Sequence, residues 1–456
     1  MFSKVLIANR GEIALRVVRA CKELGLKTVG VFSDPDANLL HLRFVDQKVA
    51  LGGNSAVETY LNIPKIVRAC EITGADAVHP GYGFLAENAT FAEELEKRGI
   101  AFIGPGPDVL RKMKNKLQAK RLMHEAGVPV IPGSLEPVKT FADAHDIARE
   151  IGYPLLLKAC LGGGGRGIRV IASEDDLKKS FDSARREAQV AFGSEELYIE
   201  KLIDRARHIE VQILADRFGN VIHVGERECS LQRRRQKILE EAPATGLSPT
   251  LRAKILDAAV RAAKALGYAT CGTFEFLVTP EGNFYFMELN ARIQVEHPVT
   301  EEISGVDLVR EQIRLAAGEE LAFRQEDIIL RGHAIEMRIN AEDPEKRFAP
   351  SPGRIVQFEI PRGPGIRVDS HCYSGYTVPP HYDSLIAKLI VWDVSREFAI
   401  RRSREALRSF FVEGIATTIP FHLRILSHPD FLEGNLHTRF VEEVWQEGVK
   451  GGDAQR

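Results

Sequence analysis

The chain has 456 residues, 44% of them apolar and 27% charged, and a formal net charge of −2. One hydrophobic core rarely supports that length, so two or three subdomains are expected. The near-zero charge gives no reason to expect nucleic-acid or membrane binding. The six cysteines, at 21, 70, 160, 229, 271 and 372, show no CxxC spacing and no histidine pairing, so reduced thiols and a cytoplasmic setting are expected. No apolar run reaches transmembrane length, and strand-like residues 5–8 begin almost at once, leaving no room for a signal peptide. Only the tail, 448–456, reads as disordered.

The first hundred residues alternate between strands and helices: strand 4–8, helix 12–24, strand 27–32, helix 63–73 and a short strand at 77–79. That alternation predicts a parallel, doubly wound sheet. The turn Asn9-Arg10-Gly11-Glu12 lacks the GxGxxG fingerprint, which argues against a dinucleotide site. The loop HPGYGFLAEN, 79–88, follows a strand at its carboxyl end, where ligands sit in open α/β sheets. A plain turn reads equally well there.

A helical stretch, 109–126, leads to strands 154–159 and 168–172, which flank LGGGGRG at 161–167. Lys158 precedes the glycines and GK[ST] is absent, so this is no P-loop. Strand, glycine loop and strand instead predict a flap whose bare amides fold over phosphates. A strand at 198–203 follows, then a hairpin of 209–215 and 221–226 around a turn at 217–220. The run CSLQRRRQKILEEAP, 229–243, gathers Arg233, Arg234, Arg235 and Lys237, a pattern expected of a solvated face. Residues 332–340 alternate, with Glu336, Arg338 and Asn340 on one face and Ile335, Met337 and Ile339 on the other. A β-rich piece containing Tyr382-Asp383-Ser384 and an amphipathic helix at 396–411 complete the chain.

The most informative stretch is ELNARIQVEHP, 288–298, whose strict alternation predicts an extended segment with one polar face. That face carries two acids, two carboxamides and a guanidinium, an odd choice for mere solubility. Strands 273–278 and 284–290 enclose the turn Pro280-Glu281-Gly282-Asn283. A hairpin symmetric about Glu281-Gly282 sets Glu275 opposite Glu288. Opposed like charges are destabilising, so the pair wants a cation, with Asn290 as a third oxygen ligand. Few, hard oxygen ligands suit Mg²⁺.

In this order, ANRGEIA, HPGYGFLAEN, KACLGGGGRG, EKLI, GERECSLQRRRQK, TFEF, ELNARIQVEHPVTE, GVDLV and RINAEDP resemble the biotin carboxylases of the ATP-grasp superfamily, over residues 4–443. The resemblance implies an α/β, ATP-grasp fold. It has a Rossmann-like N-terminal domain at 1–112, a helical linker at 113–129 and a mobile lid at 130–201. A catalytic core at 202–330, a C-terminal α+β domain at 331–446 and a tail at 447–456 follow. It places ATP on Lys116, Lys158, Gly164, Gly165, Glu200, Lys201, Leu202, Ile203, His208, Gln232 and Arg235. Glu275 and Glu288 join the nucleotide's phosphates to the metal, two magnesium or manganese ions held with Asn290. Lys237, Arg292, Gln294 and the Val295 amide grip bicarbonate, Glu296 is its general base, and Arg338 faces the biotin ureido oxygen beside Tyr82 and Gly83.

The implied reaction activates bicarbonate with ATP as carboxyphosphate, which releases CO₂ for transfer to biotin. Departures from the family pattern are Met113-Lys114-Asn115-Lys116 for MGDK, Leu161 for a fifth glycine, Leu202 for Tyr, Arg235 for His and Ala291 for Thr or Pro. The biotin-bearing AMKM signature is absent, so a separate biotin carboxyl carrier protein and a carboxyltransferase are expected as partners, with a homodimer. Acetyl-CoA carboxylase, serving fatty acid synthesis, is the expected setting, and a pyruvate or 2-oxoglutarate carboxylase the alternative. Another ATP-grasp ligase and a catalytically silent ATP-binding protein are the competing readings. The latter would be expected to have lost Glu288, Arg292 or Glu296.

Overall fold

The computed structural model describes residues 1–161 and 167–444. The flap residues Gly164 and Gly165 and the tail therefore lie outside the described residues. The amino-terminal part is a five-stranded sheet in the order β3-β2-β1-β4-β5, built from β1 (Lys4–Ile7), β2 (Lys27–Phe32), β3 (Gln47–Ala50), β4 (Ala77–His79) and β5 (Ala101–Phe102). Every pairing is parallel, as the alternation predicted. Helices Gly11–Glu23 and Ile63–Thr73 cover it, so the central strand reads as the continuous apolar run Val5-Leu6-Ile7. At the carboxyl ends of β1 and β4 the Asn9 amide donates to the carbonyls of Pro80 and Tyr82, both at 2.7 Å, and fastens the 79–88 loop. Gly81 makes this possible: its φ is +63°, and a Cβ there would meet Asn9 Nδ2 at 2.8 Å.

The helical stretch expected at 109–126 is two helices, Pro107–Lys114 and Lys116–Glu125. Asn115 between them is extended and its side chain accepts from the Gln118 amide, so an N-cap splits what periodicity alone had joined. Next come three antiparallel strands in the order β7-β6-β8: β6 (Leu155–Ala159), β7 (Ile168–Ile171) and β8 (Leu197–Lys201). Helices Phe141–Ile151 and Glu174–Phe192 pack on them around Leu157, Phe181 and Ile199. Leu202 and Ile203 lie just beyond β8.

The remaining chain builds an eight-stranded sheet, β13-β12-β9-β10-β11-β14-β16-β15. Its strands are β9 (Arg207–Ala215), β10 (Val221–Arg233), β11 (Gln236–Ala242), β12 (Thr270–Val278), β13 (Phe284–Asn290), β14 (His333–Asn340), β15 (Ile366–Ser370) and β16 (Leu385–Asp393). The arginine run is a hairpin rather than a uniformly solvated face. Arg234 and Arg235, at φ +50° and +66°, turn β10 into β11. Both are exposed, whereas Lys237 on β11 is swung inward with its side chain only 12% exposed.

The strand expected over 288–298 ends at Asn290; residues 291–296 form a loop and His297–Ser304 a helix. Pro298 sits in the first turn of that helix, where its missing N–H costs nothing. The polar face of that stretch is mostly dry: Asn290, Gln294 and Glu296 are buried, each answered by a charged or amide partner, and Glu288 alone of its acids opens to solvent. Among the described residues no helix is long and apolar enough to cross a membrane.

One buried ion cluster ties the sheet to the helix Arg396–Arg408. Glu241 on β11 accepts from Arg396 Nε and contacts His333 Nε2, each at 2.7 Å. Burial pushes the Glu241 carboxyl up, but His333 and Arg396 overcome it and hold it down to about 2. A depressed carboxyl contributes stability above its unfolded value of roughly 4.3, which is lost as pH falls through the folded value. The melting temperature should therefore drop as pH is lowered from about 4 toward 2. Glu241→Gln should shrink that dependence by Glu241's share, the other depressed carboxylates keeping theirs. It should cost about 3 kcal/mol at neutral pH by leaving Arg396 with only the Phe431 and Leu432 carbonyls among the described residues, read by denaturant melts.

Candidate active site

The hairpin brings the two acids opposite each other as expected, but by a different route. Beside the turn Val278 pairs with Phe284 and Phe276 with Phe286, one residue out of the register symmetric about Glu281-Gly282, and a β-bulge at Met287 makes up the difference. β12 and β13 set Glu275 opposite Glu288 and Thr273 opposite Asn290. The positive charge this pairing demands comes first from the protein itself. Glu275, buried, receives Lys237 at 2.8 Å, Asn290 Nδ2 at 2.7 Å and Gln294 Nε2 at 3.0 Å on one oxygen, and His208 Nε2 at 2.8 Å on the other. Burial pushes Glu275 up, but Lys237 and His208 hold it far below the usual carboxylate range. Glu288 is more open, 40% exposed, and among the described residues its hydrogen bond is a long one of 3.4 Å from Lys116. The donor set Glu275, Glu288 and Asn290 is all hard oxygen with Glu288 turned toward solvent, which fits Mg²⁺ carrying water or phosphate oxygens. His208, Glu210 and Glu275 also converge, but the Lys237 ammonium fills that point.

Lys237 is the hub. Its Nζ lies 2.5 Å from Glu210, 2.8 Å from Glu275 and 2.6 Å from Glu296. Burial alone would push the ammonium down; the three carboxylates instead raise it well above the ordinary lysine value. Glu296 is fully buried and bonds Arg338 Nη2 at 2.8 Å through its second oxygen. Burial and Glu210 push Glu296 up, while Lys237, Arg338 and Arg227 outweigh them and keep it below the usual range. It is thus an ionised carboxylate, the state a general base needs. Arg338, on β14, is held on the far side by Glu240, whose Oε1 accepts Nε at 2.6 Å.

Arg292 lies in the loop after β13, and its fork is fully engaged. Nη2 donates to Asn290 Oδ1 at 2.7 Å, Nη1 to Gln294 Oε1 at 2.9 Å, and Nε to Glu87 at 3.2 Å. Glu87 also accepts the Ala291 amide at 3.0 Å, so the 79–88 loop reaches the site. Tyr82 bonds Glu12, which pairs with Lys388 at 3.2 Å, and Lys388 donates to the Val295 carbonyl at 2.8 Å. Tyr82 is also close enough to Arg338 to feel its charge. Gly83 is exposed at the loop tip with φ +66°.

The nucleotide candidates fall into two groups. Lys158 donates to Glu200 at 2.6 Å across β6 and β8, and buried Lys120 reaches the other oxygen at 3.1 Å. Lys201 caps the carbonyls of Gly152 and Tyr153. On the large sheet Gln232 Nε2 lies 2.6 Å from His208 Nδ1, while His208 Nε2 faces Glu275 at 2.8 Å. Lys116 stands between the groups: its amide donates to the Cys160 carbonyl at 3.3 Å and its ammonium reaches Glu288. Arg235 stays at the exposed hairpin tip. Sequence reasoning missed Glu87, Lys120, Glu210, Arg227, Glu240 and Lys388. Glu240 could have been found from EE in a strand-like run, since a buried strand carries no unpaired acid.

A small antiparallel β unit facing a larger sheet, with lysines and paired acids between them, defines an ATP-grasp ligase. Family models place the chain further: "Biotin carboxylase, N-terminal domain" matches residues 1–110, "Carbamoyl-phosphate synthase L chain, ATP binding domain" residues 115–324 and "Biotin carboxylase C-terminal domain" residues 336–443. A biotin carboxylase of Nostoc sp. is 55% identical over 443 residues, 97% of this chain and 99% of its own. A biotin carboxylase–β,γ-ATP complex from Campylobacter jejuni superposes with a TM-score of 0.94 at 49% identity, covering 97% of this chain and 99% of that one. The biotin carboxylase domain dimer of Hydrogenobacter thermophilus 2-oxoglutarate carboxylase, with MgADP, ADP and bicarbonate, gives 0.93 at 51%, covering 97% and 98%. The chain belongs to the biotin carboxylase family, ATP-dependent ligases.

Proposed function

We propose that this enzyme uses ATP and bicarbonate to carboxylate biotin borne on a separate biotin carboxyl carrier protein, as a homodimer in the cytoplasm beside a carboxyltransferase. The observation that carries the proposal is Lys237, whose ammonium joins the metal-side acid Glu275 to the base-side acid Glu296, with Arg338 next in line. Three subsites, for phosphate, bicarbonate and biotin, are thereby one charge network. Residues 130–201 act as the lid and 202–330 as the core, between the N-terminal domain 1–112 and the C-terminal domain 331–446.

In the proposed mechanism Lys116, Lys158 and the Gly164–Gly165 amides neutralise the polyphosphate, Glu200, Lys201, Leu202 and Ile203 hold the adenine, and His208, Gln232 and Arg235 complete the nucleotide contacts. Bound Mg²⁺ (Mn²⁺ as substitute), on Glu275, Glu288 and Asn290, supplies charge neutralisation for phosphoryl transfer. Lys237, Arg292, Gln294 and the Val295 amide position bicarbonate. Glu296 takes its proton as the oxygen attacks the γ-phosphorus, giving carboxyphosphate and ADP. Carboxyphosphate breaks to CO₂ and phosphate, and phosphate accepts the ureido N–H proton of biotin. Arg338 stabilises the resulting enolate oxygen, with Tyr82 and Gly83 bordering the ring.

ADP release with bicarbonate, measured with and without biotin, tests this. Biotin should accelerate ADP release and yield carboxybiotin; biotin-independent turnover with no carboxybiotin would point to another ATP-grasp ligase, and no turnover to a silent nucleotide-binding protein. Acetyl-CoA is the proposed final acceptor. The likeness to a 2-oxoglutarate carboxylase domain favours 2-oxoglutarate as the second reading, and the partner that co-purifies decides between them.

A further inference from the structure

Behind Arg338 lies a second pair of opposed acids. β11 and β14 set Glu240 directly opposite Glu336, and both are fully buried. Glu240 gives one oxygen to Arg338. Its other oxygen and both oxygens of Glu336 have no hydrogen-bond partner among the described residues. Directly opposed residues of an antiparallel pair have Cβ atoms about 4.5–5.5 Å apart. Two buried carboxylates on opposed residues both stay ionised only where a cation bridges them, as Lys237 bridges the opposed pair Glu210 and Glu275. Among the described residues no cation hydrogen-bonds both Glu240 and Glu336.

The groups facing them settle which one keeps its charge. Glu240 has Arg338 in contact, with Lys237 and Glu296 beyond. Glu336 is faced by Lys388 from β16, by Arg338 on its own strand, and by Glu240 and Glu296. Lys388 is already engaged by Glu12 and the Val295 carbonyl. Burial pushes both acids up, Glu240 to about 7 and Glu336 well above the ordinary range.

We propose that Glu240 and Glu336 hold one proton between them and act as a single monoanionic unit that positions Arg338. Glu240 carries the charge and Glu336 the proton. The arrangement matters because Arg338 has a second partner that changes state. When Glu296 accepts the bicarbonate proton, its bond to Arg338 weakens, and Glu240 keeps the guanidinium aligned for the biotin step. Because Glu336 is neutral, Arg338 is balanced by Glu240 alone once Glu296 is protonated, with no second carboxylate competing with the enolate oxygen for the guanidinium. The positioning role rests on the reading of Arg338 as the group that meets the ureido oxygen; the shared proton does not.

Infrared difference spectroscopy of the intact enzyme at pH 7 tests the proton. The wild type should show a buried carboxylic-acid C=O band that Glu336→Gln removes. A wild type without such a band overturns the pair, and this reading needs no variant to fold. The ratio of carboxybiotin to ADP tests the positioning. Glu240→Gln should lower it about tenfold with the KM for ATP unchanged. The double variant Glu240→Gln/Glu336→Gln should lower it further, about threefold, because in the single variant Glu336 is released to ionise and partly replace the lost anion. Equal ratios in single and double variants overturn the unit, and equal loss of ATP cleavage and carboxylation overturns positioning. If the band is present but Arg338→Ala keeps a normal ratio, the reading of Arg338 falls and the positioning role with it.

Discussion

Glu288→Gln is expected to lower Mg·ATP-dependent carboxylation by at least about 10²-fold, the scale on which removal of one transition-state charge contact acts. Glu288 is the better of the two hairpin acids to change. Glu275 is wrapped by Lys237, His208, Asn290 and Gln294, so its loss would strand Lys237 and damage the fold as well as the site. Glu288 is partly exposed and, among the described residues, has one long bond, from Lys116. Replacing it should leave the melting temperature almost unchanged. The measurement is carboxybiotin formation across a Mg²⁺ titration. A weakened metal site shows a curve displaced to higher Mg²⁺; near-normal activity throughout would remove Glu288 from the metal.

How much of this was legible depends on whether a partner was local. The approach of Glu275 to Glu288 could be read because their strands are joined by a short local turn. The turn alone would leave them one residue out of step, and the β-bulge between Glu275 and Phe276 that brings them opposite carries no sequence signal. The parallel order of β1 to β5 likewise follows from short βα repeats. The acids and bases that complete the site come from far away. Glu210 reaches Lys237 from β9 and is itself held by Arg227 from β10, and Lys388 arrives from β16 to hold the Val295 carbonyl. No local pattern announces those meetings. The misread strand beyond Asn290 has a different cause. Alternation runs through to Pro298, but a proline at that position is a helix-start signal, and the helix begins at His297. The arginine run misled in part, because two of its residues form a solvated turn and Lys237 follows just two positions later, inside the site.

Arg338→Ala separates the two halves of the chemistry and carries the largest expected loss. Arg338 touches Glu296 and Glu240 and makes no contact with Glu275 or Lys116, so the phosphoryl-transfer side keeps its groups. Bicarbonate-dependent ATP cleavage should therefore survive, within about tenfold of normal, since Glu296 retains Lys237 as a counter-charge. Carboxybiotin should fall by about 10³-fold, a barrier increase of roughly 4 kcal/mol, because the enolate oxygen loses its fixed cation in a buried site. Arg338→Lys should rescue little. A lysine ammonium is a point charge, whereas the guanidinium contacts Glu240 and Glu296 simultaneously through a planar fork. The diagnostic quantity is the number of carboxybiotins formed per ADP released, measured at saturating biotin so that weakened binding does not masquerade as weakened chemistry. If that ratio is unchanged in Arg338→Ala while both rates fall together, Arg338 serves the fold of the Glu296 loop, and the cation opposite the ureido oxygen must be sought at Arg292.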